Sequence, residues 1–328
     1  MRKLSRPLLS AMRKNSYIIP PRQTKSSTMK KSCNSIKAIL SLWIIICLFS
    51  GIGLQAQGNP LSVDPEGLKI RVAAGQFVLA PDLETNLEKI NSMLDEAHSL
   101  GVELIVFPEL GLTGYPPSDY ESIDYIKQDR TEEALKHLQK KALKLDMAIA
   151  IGAGWKDDAG IWWNRAFFID ENGELLEYYD KIQQTSHERK FFKDGERLPA
   201  FEWKGIQLGM LICMDMRYPE LWRIMRKQEV SLMLHLAAAY GGSVWKVPVL
   251  EGTMRANAAS NGFHIISCNN AGPTPMMISA IYNNRGMILA KANYAVEQLI
   301  LQDIIVGEPT GFVEFQDNVY QLENNASE

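Results

Sequence analysis

Glu109, Lys181 and Cys213, each at the end of a strand-like segment, supply a base, a cation and a nucleophile. Cys213 closes the run 208–212, which reads as a strand buried on both faces. Tyr218-Pro219-Glu220 then opens a stretch of helical spacing with Pro in its first turn. A cysteine in such a strand-to-helix turn presents its sulfur at the sheet end, beside backbone N–H groups that favour a thiolate or an oxyanion. Glu109 follows Leu104-Ile105-Val106-Phe107 and enters a loop punctuated by Gly111, Gly114, Pro116 and Pro117. The C-terminal end of a buried strand is the usual place for a site in an open α/β sheet, and partial burial suits a carboxylate to act as a base. Lys181 follows the strand-like Glu-Leu-Leu-Glu-Tyr-Tyr-Asp segment and precedes a loop. Taken singly, each residue has a plain alternative. These are a buried structural thiol, a solvated loop acid or helix cap, and a surface lysine paired with Asp180.

The elements that would position them follow from the period of the apolar residues. Strands are expected at 68–74, 104–107, 147–151, 161–169, 174–179, 230–236, 263–268, 277–282, 286–290 and 297–302. Helices are expected at 84–100, with Leu87, Ile90, Leu94 and Ala97 on one face, at 131–145 and at 249–261. Glu171-Asn172-Gly173 and Asn283-Asn284-Arg285 mark hairpins. Strands and helices alternate without a linker over 68–306, which reads as one α/β domain followed by a polar tail at 307–328.

Charge separates the ends of the chain. Ten of the 35 Lys and Arg lie in residues 1–57, which hold no Asp or Glu. The rest carries 25 basic against 38 acidic side chains, a net of −13 that disfavours nucleic acid or an anionic membrane as partner. Residues 30–56 have the order of a secretory signal: Lys30, Lys31 and Lys37, the apolar stretch 38–54, then Leu54-Gln55-Ala56 as a cleavage site. Export with cleavage after Ala56 is the expectation. Met29 is a natural start for that signal, and an uncleaved anchor over 38–54 is the alternative. Cys33 and Cys47 fall in this extension, leaving Cys213 and Cys268, too few for a disulfide framework. The five histidines show no metal-ligand spacing, and Gly152-Ala153-Gly154 lacks the third glycine of a dinucleotide loop, so neither metal nor cofactor is expected.

Several blocks together resemble the nitrilase superfamily of carbon–nitrogen hydrolases. They are Ala-Gly-Gln-Phe with Asn86-Leu87, Phe-Pro-Glu-Leu-Gly-Leu-Thr-Gly-Tyr around Glu109, and Tyr-Asp-Lys ahead of Glu188 and Phe191-Phe192. Gly-Met-Leu-Ile-Cys-Met-Asp-Met-Arg-Tyr-Pro-Glu around Cys213 and Asn269-Asn270-Ala271-Gly272 complete the set. The resemblance spans about 70–301. It implies an α-β-β-α sandwich that dimerises into four layers, and a catalytic set of Glu109 as base, Lys181 as transition-state cation and Cys213 as nucleophile. It further implies Glu188 as a second, positioning glutamate, and the Met214 N–H with Lys181 as oxyanion hole. Asp215, Arg217 and Glu220 are expected to brace the turn, and His235 to be a satisfied strand-end histidine. Tyr115, Ala237, Ala238, Tyr240 and Trp245 are expected to line the substrate pocket. The stretch 257–262 lacks the arginine and glutamate that family members carry there, and Arg255 is the candidate substitute.

The implied reaction is hydrolysis of a small linear amide or N-carbamoyl compound through a thioester, without a cofactor. Nitrile hydrolysis or acyl transfer by the same residues is the alternative, and a silent binding protein of the same fold is the reading from another class. The Gly-Tyr-Pro-Pro-Ser-Asp run also resembles glutaminase domains that feed a synthetase.

Overall fold

Apolar runs with no polar alternation must be covered on both faces, and the fold does this with two six-stranded sheets and helices outside them. The computed structural model describes residues 67–116 and 122–307. The basic extension 1–57 with the expected signal, Pro117 of the 114–119 run and the polar tail beyond Gly307 lie outside the described residues.

In chain order the elements are β1 (Leu68–Gln76), α1 (Leu83–Ser99), β2 (Leu104–Val106), α2 (Gln128–Leu145), β3 (Ala148–Lys156), β4 (Trp162–Ile169) and β5 (Leu175–Asp180). The second half adds β6 (Ala200–Trp203), β7 (Ile206–Ile212), α3 (Pro219–Lys227), β8 (Leu232–Ala237), α4 (Lys246–Asn261), β9 (His264–Asn269), β10 (Ala280–Tyr282), β11 (Ile288–Lys291) and β12 (Gln298–Val306). One sheet has the order β12-β1-β2-β3-β4-β5 and the other β11-β10-β9-β8-β7-β6. β1, β2 and β3 are parallel neighbours, as are β7, β8 and β9. The expected α-β-β-α sandwich is the architecture found.

Strand alternation sorts the core into two layers. Ile70, Val72, Ala74, Leu104, Val106, Ala148 and Ala150 face the second sheet. Ala73, Ile105, Ile149 and Ile151 face α1 and α2, meeting Ile90, Leu94, Leu135 and Leu138. β1 and β2 lie over β9, while β2 and β3 lie over β8. β5 is antiparallel to β4, which is antiparallel to β3, so β5 ends on the same edge as β2 and β3. The chain segments after β2, β5, β7 and β8 therefore meet at one end of the sandwich.

Two expectations about strands change. The strand expected at 277–282 shortens to Ala280–Tyr282, because the Met277 carbonyl accepts from the Asn269 side chain at 2.7 Å instead of joining a ladder. β6 was not anticipated, since its four residues, Ala-Phe-Glu-Trp, are too short a stretch to show a period.

The loop after β2 rests on β3 at Gly152. A Cβ there would come within 2.5 Å of the Leu110 nitrogen and 2.9 Å of the Pro108 carbonyl oxygen. Gly152→Ala should therefore displace the backbone carrying Glu109 and destabilise the protein by about 1–3 kcal/mol. Gly252, exposed within α4 with nothing near its missing Cβ, gives the opposite expectation, a gain of about 0.5–1 kcal/mol on change to Ala. Urea midpoints of the two variants check both signs.

Candidate active site

Glu109 comes from the loop after β2, Lys181 from the residue after β5, and Cys213 from the residue after β7. Each of these strands points its C-terminal end at the same place. The solvated-acid and surface-lysine alternatives are excluded, because the Glu109, Lys181 and Glu188 side chains are fully buried. Asp180 instead takes a two-bond contact from the Arg165 guanidinium, at 2.6 and 2.9 Å.

The Lys181 ammonium sits between two carboxylates. It donates to Glu109 Oε1 at 2.6 Å and to both Glu188 oxygens, at 2.7 and 2.8 Å, which uses all three of its protons. Donor counts then divide the two acids. Glu188 also accepts from the Tyr115 hydroxyl at 2.8 Å and the Thr185 N–H at 2.6 Å. Burial disfavours its charge, but Lys181 and these donors outweigh that and hold it down at about 2. Glu109 has fewer partners: Lys181, the Asn164 amide at 2.7 Å, and the Ala238 N–H on Oε2 at 2.8 Å. Burial therefore dominates and raises it to about 7, with the Glu188 charge adding to the rise. Two carboxylates around one cation are driven apart, one a permanent anion and one a proton acceptor near neutrality. Lys181 itself would be lowered by burial, yet the surrounding acidic groups reverse this and keep it charged.

Cys213 is half-buried and has φ of +46°, in the left-handed region that β-carbons disfavour. It begins a 3-10 turn over Cys213–Arg217, so the Met214 N–H near its start has no intrahelical acceptor. The turn is held by Asp215, whose Oδ2 accepts from the Tyr179 hydroxyl at 2.8 Å and the Ile212 N–H at 3.0 Å, and whose Oδ1 accepts from the Gln183 N–H at 2.7 Å. These bonds tie the Cys213 turn directly to the segment carrying Lys181. His235 closes the other side: Nε2 lies 3.2 Å from the Cys213 carbonyl and Nδ1 2.9 Å from the Ser267 hydroxyl. Burial lowers it to about 4, so it is a neutral, satisfied histidine, as expected. Asn257 donates to the Met216 carbonyl at 3.1 Å. Arg255 donates to the Gly286 carbonyl at 2.9 Å and so braces a hairpin turn.

Burial and the neighbouring Glu109 carboxylate push the Cys213 thiol well above its ordinary range, with Lys181 and the Ala238 N–H opposing. Ionising the thiol alone would set three negative charges against one ammonium. Passing its proton to Glu109 keeps the cluster charge constant, so the two groups must exchange a proton.

Cys213 opens into a cleft of about 380 Å³, large enough for a small molecule. All five expected pocket residues line it, Tyr115 and Tyr240 packing edge to face with centroids 5.9 Å apart. One expectation is overturned. Asp215 braces the turn, but Arg217 does not: it is exposed and lines the cleft, because the turn directs it outward while Asp215 and Met216 point in. Glu220 is exposed as well. Sequence reasoning missed Asn164 and the Ala238 N–H. A polar residue at a buried position of β4 was the available signal for the first, and a backbone donor leaves none. Among the described residues, no cluster of potential ligands is suited to a metal ion.

The carbon-nitrogen hydrolase model matches residues 71–308, and the chain belongs to that family. It is a carbon–nitrogen hydrolase. An amidase from Nesterenkonia sp. superposes with a TM-score of 0.68 at 25% identity, covering 78% of this chain and 95% of that one. Structures of that amidase include a complex with butyramide and a variant carrying the acetamide moiety of fluoroacetamide on its active-site cysteine. A Schizosaccharomyces pombe protein named as a probable nitrilase is 29% identical over 62% of this chain and 76% of its own length. The glutamine-dependent NAD(+) synthetase of Thermotoga maritima is 29% identical over 69% of this chain, which spans only 40% of that enzyme.

Proposed function

We propose that the protein is an amidase acting on a small linear amide through a thioester on Cys213. The observation that carries this reading is the split of Glu109 from Glu188 around one buried ammonium, beside a thiol that ionises only by giving its proton away. Glu109 accepts the Cys213 proton as sulfur attacks the amide carbon. The oxyanion that forms takes a hydrogen bond from the Met214 N–H. The three Lys181 protons are committed to carboxylates, so its share is mainly the positive charge it holds nearby. Glu109 passes its proton to the leaving nitrogen, the C–N bond breaks, and ammonia departs. Glu109 then takes a proton from water, the hydroxide attacks the thioester, and the C–S bond breaks to return the thiol. Glu188, Asn164 and Tyr115 hold the reacting groups in place. The adduct on the cysteine of the similar amidase supports this assignment.

Nitrile hydrolysis by the same residues is the second reading, favoured by the likeness to nitrilase-type relatives. Export of the chain and its pairing into a homodimer accompany the proposal. N-terminal sequencing of secreted material should begin at Gln57, and sedimentation should give twice the mass of one chain.

Glu109→Gln should halt both half-reactions. With an activated ester, mass spectrometry should find an adduct on Cys213 that forms slowly and is not hydrolysed. Normal turnover by that variant would sink the assignment. The pH profile gives an independent check. A base with a pKa of about 7 loses its acceptor site as pH falls, so kcat/KM should drop about tenfold per unit below that point. Because the Glu188 charge raises Glu109, Glu188→Gln should move this limb to lower pH. An unmoved limb would remove Glu109 from the role.

A further inference from the structure

Asn164 uses only half of its amide. Its NH2 group donates to Glu109 Oε1 at 2.7 Å and to Glu188 Oε1 at 3.5 Å. Among the described residues, no donor reaches its buried Oδ1. The buried Asn86 and Asn269 differ, because both ends of each amide are hydrogen-bonded. An orphaned carbonyl in the interior is costly. Turning the amide over would not relieve it, since Oδ1 would then face two carboxylates. The side chain is therefore held by what its N–H groups do. β4 gives it that direction, because Trp163 and Arg165 take the opposite face of the strand. The Asn164 carbonyl also accepts from the Lys181 N–H at 2.9 Å, which ties the residue to the cation as well as to the base.

Each oxygen of an ionised carboxylate offers two lone pairs. On Glu109, Oε1 has both engaged, one by the Lys181 ammonium at 2.6 Å and one by Asn164. Oε2 has a single donor, the Ala238 N–H at 2.8 Å, and that N–H also reaches the Cys213 sulfur. Oε2 is thus the oxygen on the thiol side, with one lone pair open. Resting on the amidase reading, we propose that Asn164 is a positioning residue that keeps Oε1 occupied, so that Oε2 alone receives the proton of Cys213. As sulfur attacks the amide carbon, the S–H bond breaks and an O–H bond forms at Oε2. Glu109 becomes neutral, and the negative charge passes to the substrate oxygen. The same proton then leaves Oε2 for the departing nitrogen. Asn164 supports the charged form of Glu109, so its loss makes the anion harder to hold. The other titratable groups facing Glu109 are Lys181, Glu188, Cys213, Tyr115 and Tyr240.

Two variants test this through the pH dependence of kcat/KM for butyramide and of Cys213 alkylation by iodoacetamide, which needs no turnover. Asn164→Leu removes the donor at similar volume. Its acid limb should move up from about 7 by about one pH unit or more in both measurements. The loss should be largest near neutrality and shrink at higher pH, whereas a structural fault lowers kcat/KM at every pH. KM should stay within about twofold, because Asn164 does not line the cleft. Asn164→Asp keeps the shape and donates to Oε1 only while the introduced carboxyl holds its proton. It should return the acid limb toward the wild-type position and add an alkaline limb, at lower pH than any in the wild type. An acid limb unmoved in Asn164→Leu, or kcat/KM lowered equally at all pH, overturns the proposal and leaves the amidase reading standing. If Asn164→Leu does not fold, Asn164→Asp decides by itself, and absence of its alkaline limb overturns the proposal. Alkylation limbs that move as stated, without hydrolysis of any amide, support the role of Asn164 and overturn the amidase reading.

Discussion

One ammonium between two carboxylates, with no water contact, is the constraint on which the rest of the site depends. Burying either glutamate alone would be costly, and removing Lys181 would leave two uncompensated anions. The cluster is tolerable only because every proton of Lys181 has an acceptor and Glu188 is saturated with donors. That saturation makes Glu109 different. With less support its charge is held weakly, and a weakly held charge is what a proton acceptor near neutrality needs. The same residues thus settle how the interior stays folded and which acid can exchange a proton.

Backbone strain complements this arrangement. Cys213 and Leu110, the residue following Glu109, both have positive φ without being glycine. Each costs on the order of 1–3 kcal/mol unless neighbours enforce it. Around Cys213 the enforcement comes from Asp215, Tyr179 and Gln183 on one side and His235 with Ser267 on the other. Around Leu110 it comes from close packing against β3, where Gly152 lets the loop sit on the strand. The Asp215 bonds also cross between sheets, since Tyr179 belongs to β5 and Cys213 follows β7. The two halves of the sandwich are thereby registered at the point where a thiol, a base and a cation must meet. Arg217 leaves the same short turn as Cys213 and lines the cleft.

Much of this was legible in the chain. The unbroken apolar runs identified strands covered on both faces, the order of strands and helices gave an α/β domain, and the family resemblance implied the sandwich. Glu109, Lys181 and Cys213 stood out from their places at strand ends, and Glu188 from the family resemblance. These are local properties, because a residue's position after a strand or before a helix is decided by the period of its neighbours. What the chain could not disclose was which partner each charge would find. Lys181 read equally well as a partner of adjacent Asp180, but it meets Glu109, 72 residues away, and Asp180 goes to Arg165. Asn164 and the Ala238 N–H reach Glu109 across 55 and 129 residues. Arg217 was read as a brace and faces the cleft, because a 3-10 turn points successive side chains in different directions. Sequence determined which groups are present and at which end of the sandwich they gather. Tertiary structure alone decided how many donors each carboxylate receives, and that count, through burial and charge, separates the two glutamates.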